Sequence, residues 1–400
     1  MTTSPLYGAQ TPPTHATLIL ITAVAVLTLN LFLPSLPSMA AEFRVSYGAI
    51  SLTIAGYVIF SSVLAVFLGP LADRFGRRPV LLITFSIFTL ASMGAAITEN
   101  YTLFLVFRMA QAVCATGSIL GRAIVRDIYP AGKGTSVLGY IAMAMSVAPM
   151  IGPIVGGFLE ETLGWRSVFW VFAGLGLVCI VSIWFDLGET GTGQSKTRAD
   201  HVQGYKDVMR SKAFWSNTMV LGFSIASFFV FLSGAPLVAG QVYELSPRFV
   251  GLVMGATALG YFMGSFVTGR IAERVPLGPL MIRGRVFAMI GPVAALIIVL
   301  LGLDSAYLIF GLMFTIGAGN GISLAAANTG AMSVRPDLAG SASGLSGAIG
   351  TAMGGIFGGI TGALITVDNG AWLFCALITF TCLCALFASL VAAKTFEGIE

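Results

Sequence analysis

The sequence predicts an all-α integral membrane protein: twelve transmembrane helices in two six-helix bundles related by a pseudo-twofold axis. Three observations predict it. Hydrophobic residues make up 56% of the chain and charged residues only 10%, against about 25% charged in soluble domains. Apolar stretches of the length needed to cross hydrocarbon, about 20 residues, recur along all 400 residues. A six-residue segment also returns at the same place in each half. The 49 glycines suit helices packed closely in lipid.

The spans, taken in order, are 16–37, 48–71, 79–97, 101–124, 135–158 and 166–187, then 213–236, 247–270, 281–303, 306–328, 338–363 and 370–393. Between the two sets, residues 188–212 carry Gly, Thr, Gln, Ser, Lys, Arg and Asp without an apolar run. This composition predicts a solvent-exposed linker. The expected domains are therefore an N-terminal bundle 1–187, a cytoplasmic linker 188–212 and a C-terminal bundle 213–400. Span 1 ends in Ser-Met-Ala-Ala, which mimics a cleavage site. Its length, the absence of Lys or Arg before it and the eleven spans that follow predict a retained helix instead.

Basic residues set the orientation, because cytoplasmic loops are enriched in Lys and Arg. With both termini cytoplasmic, only Arg44, Arg166 and Arg248 of the 21 basic residues fall outside, and Arg108 lies within a span, away from either interface. The other seventeen, Arg283 and Arg285 among them, are placed inside or at the inner interface.

The repeat is Gly69-Pro-Leu-Ala-Asp-Arg74, which returns as Gly269-Arg-Ile-Ala-Glu-Arg274 at the end of the second span of each half. A duplicated six-helix unit related by an axis along the membrane normal is a transporter architecture, with the solute site between the halves. Other classes fit poorly. The five cysteines lie in apolar stretches without metal-ligand spacing, and His15 and His201 lie in polar segments. An enzyme needs clustered His, Cys, Ser or acid groups at one interface, and none is seen. A net charge of +4 is too small and scattered for nucleic acid.

These residues resemble the major facilitator superfamily. Gly69 to Arg78 is similar to its signature loop after helix 2. Arg108-Met-Ala-Gln111 resembles the Arg-x-x-Gln motif of proton-coupled members. Pro149-Met-Ile-Gly152-Pro153-Ile-Val-Gly156-Gly157 resembles the helix 5 motif of drug antiporters. Leu33-Pro34-Ser35-Leu36-Pro37 closing span 1, Val125 to Pro130 after span 4 and Ala339 to Ser343 opening span 11 are similar to the bicyclomycin/chloramphenicol-resistance branch. That branch usually has an acid in helix 1 where this chain has Asn30, so the acid's coupling role does not transfer.

Each motif has a physical reading. Gly69 and Gly76 permit close backbone approach and turning. Asp73 can accept hydrogen bonds at a helix N-terminus, with residues 339–343 the candidate partner. Arg74, Arg77 and Arg78 could hold the inner end of span 4 through Asp127, beside Arg126. Together these residues are expected to latch the halves shut on the cytoplasmic side. In span 5, Gly152, Gly156 and Gly157 let a neighbouring helix come close, while Pro149 and Pro153 bend the helix at a rocking interface.

Arg108 is the most informative residue, because a charge in hydrocarbon is costly and marks function. It lies roughly 10 Å in from the outer end of span 4, at the depth of Asn30 in span 1. Gln111 shares its helical face. Asn30, Arg108 and Gln111 are expected to form a polar cluster facing the solute, with Tyr57, Ser224, Ser227 and Asn320 as further cavity residues and Phe228, Phe229 and Phe231 as an apolar wall. All 17 acids fall in loops or at helix ends. The cavity is then net positive and prefers neutral or anionic solutes, or an acid such as Asp127 reaches deeper than its position suggests.

The expected function is export of small amphipathic drugs or toxic compounds by alternating access from a bacterial inner membrane. Proton antiport is the drive that the resemblance implies. The alternative is export of a metabolite or organic anion with Arg108 as anion contact. No cofactor or metal is expected, the partners are solute, protons and lipid, and the expected state is a monomer.

Overall fold

The computed structural model describes residues 12–129, 131–190, 208–271, 274–303, 305–334 and 339–394. Among the described residues, twelve helical spans follow one another: α1 (His15–Phe43), α2 (Tyr47–Phe75), α3 (Arg77–Ile97), α4 (Tyr101–Ile128), α5 (Ala131–Leu163), α6 (Arg166–Asp186), α7 (Lys212–Val242), α8 (Pro247–Ile271), α9 (Leu277–Leu300), α10 (Ala306–Ser333), α11 (Ala339–Leu364) and α12 (Gly370–Ala393). Among the described residues, eleven are long and apolar enough to cross a membrane. The other, α5, runs for 33 residues, and several of its side chains lie outside the described residues. The linker expected at 188–212 lies outside them over residues 191–207.

Lipid exposure explains the apolar surface. Ile83, Leu90 and Ile97 recur every seven residues on α3 and are 60%, 68% and 67% exposed. A helix turned this way to solvent would be unstable in water, and in hydrocarbon it is at home. Hydroxyls inside the bilayer find acceptors within their own helix: Thr84, Thr89 and Ser92 donate to the carbonyls of Val80, Phe85 and Phe88 at 2.7 to 2.9 Å. With no water available, internal satisfaction of this kind is obligatory.

Several helices run past their predicted ends, α1 and α7 furthest, by six residues each. Residues 33–37 do not close α1. The helix breaks at a 3₁₀ turn, Leu33–Ser35, and resumes as Leu36–Phe43. Pro34 and Pro37 each sit in a first turn, where the missing N–H costs nothing, so they bend the span without stopping it. Arg44 ends it in the left-handed region at φ 55°. Likewise α7 continues through Pro236 into a π turn, Val238–Val242.

Two compact units emerge from the packing. One joins Met1–Val45 to Phe60–Ser195, and the other joins Ser46–Ile59 to Lys196–Glu400. Residues 46–59 thus group with the second unit. There the Tyr47 hydroxyl donates to the Ser233 carbonyl at 2.6 Å. A Cβ at Gly362 would strike the Ser51 side chain, and one at Gly359 would sit 3.3 Å from the Ala55 methyl.

In the first unit, an aromatic core links α1, α4 and α6 through Phe43, Phe104, Trp165 and Phe169, with ring centroids 5.0 to 5.8 Å apart. In the second unit, glycines set the crossing of α8 and α10. Gly260 and Gly264 lie against the backbone at Phe314 and Ala318, while Gly317 and Gly321 lie against Thr257 and Tyr261. Each helix therefore offers a small-xxx-small face to the other, and the two backbones touch.

Candidate functional site

In the first unit, Arg108 is fully buried. One guanidinium nitrogen donates to Gln111 Oε1 at 2.5 Å, and the other points at the Thr28 carbonyl at 3.4 Å. Gln111 in turn donates to Ser92 Oγ at 2.8 Å, and the Ser92 hydroxyl donates to the Phe88 carbonyl. The guanidinium carbon lies 4.1 Å from the centre of the Phe32 ring and 5.9 Å from that of Phe169. Cation–π contacts of this kind reach about 2 kcal/mol when desolvated, which offsets part of the burial cost.

The expected trio is thereby corrected. Arg108 and Gln111 are joined, but Asn30 is not part of their network. Its amide nitrogen turns back to the Val26 carbonyl at 2.8 Å, and its Oδ1 is buried without a hydrogen-bond partner. Gly152 lets α5 pack closely here, since a Cβ there would lie 3.0 Å from Asn30 Cβ. Gly156 likewise meets the Leu31 carbonyl. The glycine face of α5, expected at an interface between halves, packs at these two positions on α1 of its own unit. Pro149 and Pro153 lie inside α5, and Gly157 is buried.

The loop after α2 shows a different chemistry. Gly76 has φ 94°, a conformation only glycine adopts without strain. Gly69 does not share that role: nothing lies within 4 Å of where its Cβ would be. Arg77 is buried, 2.7 Å from Asp127 and 3.8 Å from a half-exposed Asp73. Of the three arginines expected to reach Asp127, Arg77 does so. Arg74 stacks on Phe75 at 5.3 Å, and Arg78 donates to the Trp184 carbonyl at 2.7 Å. The side chains of Arg126 and of residues 339–341 lie outside the described residues.

Two acids at the end of α6 complete this end of the unit, and neither was foreseen. Glu189 accepts from the backbone N–H groups of Arg77 and Arg78 at 2.9 and 3.3 Å, capping the start of α3. Asp186 accepts from the Thr14 N–H and from the hydroxyls of Thr14 and Thr17 at 2.5 to 2.8 Å, anchoring the start of α1. Both carboxylates face unpaired amides at the positive end of a helix.

The second unit holds a buried cation that the sequence reading left at the interface. Arg285 lies within α9 and is 1% exposed. It donates to Ser224 Oγ at 2.5 Å and to the Gly319 carbonyl at 2.7 Å. Ser224 can accept because its own proton goes to the Val220 carbonyl. The Ser224 carbonyl accepts from Ser227 Oγ at 2.8 Å and from the Asn320 amide at 3.3 Å. Three predicted cavity residues therefore meet around Arg285. Tyr57 is buried in the same unit. Periodicity carried the missed signal: Met281, Arg285, Ala288 and Pro292 share the buried face of α9, while Arg283 is exposed.

A family model described as Major Facilitator Superfamily matches residues 18–359. The chain belongs to that superfamily. Twelve helices in two six-helix halves are the Major Facilitator fold, and the protein is a multi-pass membrane transporter rather than an enzyme. It is 28% identical to a "Chloramphenicol resistance protein" of Pseudomonas aeruginosa over 314 residues, 77% of this chain and 74% of the relative. It is 26% identical to "Multidrug resistance protein D" of Escherichia coli strain K12 over 83% of this chain and 84% of the relative. The solved D-xylose-proton symporter superposes with a TM-score of 0.74 at 16% identity, covering 92% and 96% of the two chains, which speaks for the fold alone.

Proposed function

We propose that this transporter exports small amphipathic drugs or toxic compounds by alternating access, driven by proton antiport. It would work as a monomer in a bacterial inner membrane, with both termini cytoplasmic. Its bundles would be residues 1–187 and 213–400, joined by a cytoplasmic linker 188–212. The observation that carries the reading is the similarity to a chloramphenicol-resistance protein across 77% of the chain. The buried Arg108–Gln111 pair and the Arg285, Ser224 and Asn320 cluster support it, since polar groups kept inside a membrane protein serve a solute or a coupled ion. Gly69, Asp73, Arg74, Gly76, Arg77, Arg126 and Asp127 would form the cytoplasmic gate, supported by the Arg77–Asp127 pair.

The test is accumulation of labelled chloramphenicol in an efflux-deficient bacterium with and without the protein, followed by uptake into inside-out vesicles under an imposed proton gradient. Equal accumulation in both strains refutes export, and uptake insensitive to the gradient refutes proton coupling. A second reading, export of an organic anion, is favoured by the fully buried guanidiniums of Arg108 and Arg285. Loss of anion export alone in Arg108→Ala would favour it over drug export.

A further inference from the structure

Arg285 has no carboxylate in ion-pair range among the described residues, where the ion pairs found involve other arginines. It enters from the start of α9 at Leu277, so its Cα lies roughly 12 Å along the helix. Two of its nitrogens are satisfied by Ser224 and Gly319, but Nε is buried without a hydrogen-bond partner. In the same cluster Asn320 is 4% exposed, and its Oδ1 is also buried without one. Ser224 ties the two together, taking the guanidinium on its hydroxyl and the Asn320 amide on its carbonyl. An uncompensated cation, an unused donor and an unused acceptor thus occupy one hydrogen-bonded cluster. Unused polar groups are costly in a fold and inexpensive in a site where a ligand supplies the missing partner.

We propose that Arg285, with Ser224 and Asn320, is a solute-selecting site of the second unit that favours uncharged or anionic molecules bearing a carbonyl or carboxylate oxygen and disfavours organic cations. This rests on the exporter reading and adds the substrate class. The positive field of a desolvated guanidinium acts over several ångströms, so it biases solute charge whether or not contact is direct.

The experiment measures export of chloramphenicol, benzoate and tetraphenylphosphonium by wild type, Arg285→Gln and Arg285→Lys, each normalised to protein in the membrane. For Arg285→Gln, chloramphenicol and benzoate export should fall at least tenfold relative to tetraphenylphosphonium, and Arg285→Lys should keep the order of preference. Equal loss of all three probes overturns the proposal, because a residue that only holds helices together does not sort by charge. Unchanged ratios overturn it as well. If Arg285→Gln does not accumulate, Asn320→Ala and Ser224→Ala take its place with the same readout. If wild type exports none of the probes, the exporter reading fails. The site is then judged by tryptophan-quenching titrations of purified protein, in which tetraphenylphosphonium binding as tight in wild type as in Arg285→Gln counts against it.

Discussion

Replacing Gly317 by alanine tests the backbone-to-backbone crossing of α8 and α10. A Cβ there would lie 2.7 Å from the Tyr261 nitrogen, while ordinary contact begins at 3.4 Å, so it would be 0.7 Å too close. It would also press on the Thr257 carbonyl. Both obstacles are main chain, so no side chain can swing away and the helices must part. Parting them costs the close contacts of Gly260, Gly264 and Gly321 as well. Overpacking costs about 1–3 kcal/mol, and a rigid obstacle puts this site at the upper end, about 2–3 kcal/mol. For a unit of this size that corresponds to a melting point lower by roughly 5–10 °C. The assay is thermal unfolding of purified protein in detergent, followed by tryptophan fluorescence. Gly347→Ala is the control, because nothing lies within 4 Å of its Cβ position. It should match or slightly exceed wild type, since alanine favours a helix by up to about 1 kcal/mol over glycine. A Gly317→Ala melting point equal to that of Gly347→Ala would refute the reasoning.

Three further outcomes follow from the same geometry. Glu189→Gln keeps the acceptor but removes the charge at the start of α3, so it should cost a few tenths to about 1 kcal/mol, while Glu189→Ala should cost about 1–2 kcal/mol. Both are read as melting points, and equal values would show that the carboxylate does not cap α3. Asp73→Asn should abolish chloramphenicol export with normal membrane abundance; retained export would remove Asp73 from the gate. Asn30→Asp introduces a titratable group beside α5 and should make export vary with pH more steeply than in wild type. Superimposable pH profiles would exclude this position from coupling.

The spans were legible because hydrocarbon imposes a coarse and unmistakable demand, a long apolar run between polar stretches. The pairing of Arg108 with Gln111 was legible too, since three residues along a helix is one face. The exit from α1 was not. Proline is read as a stop, but Pro34 and Pro37 sit in first turns, where they only redirect the chain. Asn30 was misassigned because depth alone placed it near Arg108, whereas rotation about the helix axis points its side chain to Gly152. Arg285 was lost to an edge effect: counting it with Arg283 ignored that the two lie about 200° apart around α9. Glu189 and Asp186 carry no local signal, because their partners are more than 100 residues away in sequence.

These two carboxylates have a mechanical consequence. Because Asp186 grips the first residues of α1 and Glu189 the first residues of α3, three helix ends are riveted at one corner by four consecutive residues of the chain. The spacing between the rivets acts as a ruler. One residue inserted between them would leave the chain able to seat one carboxylate but not the other, so the start of α1 and the start of α3 could no longer be held by the same turn of chain.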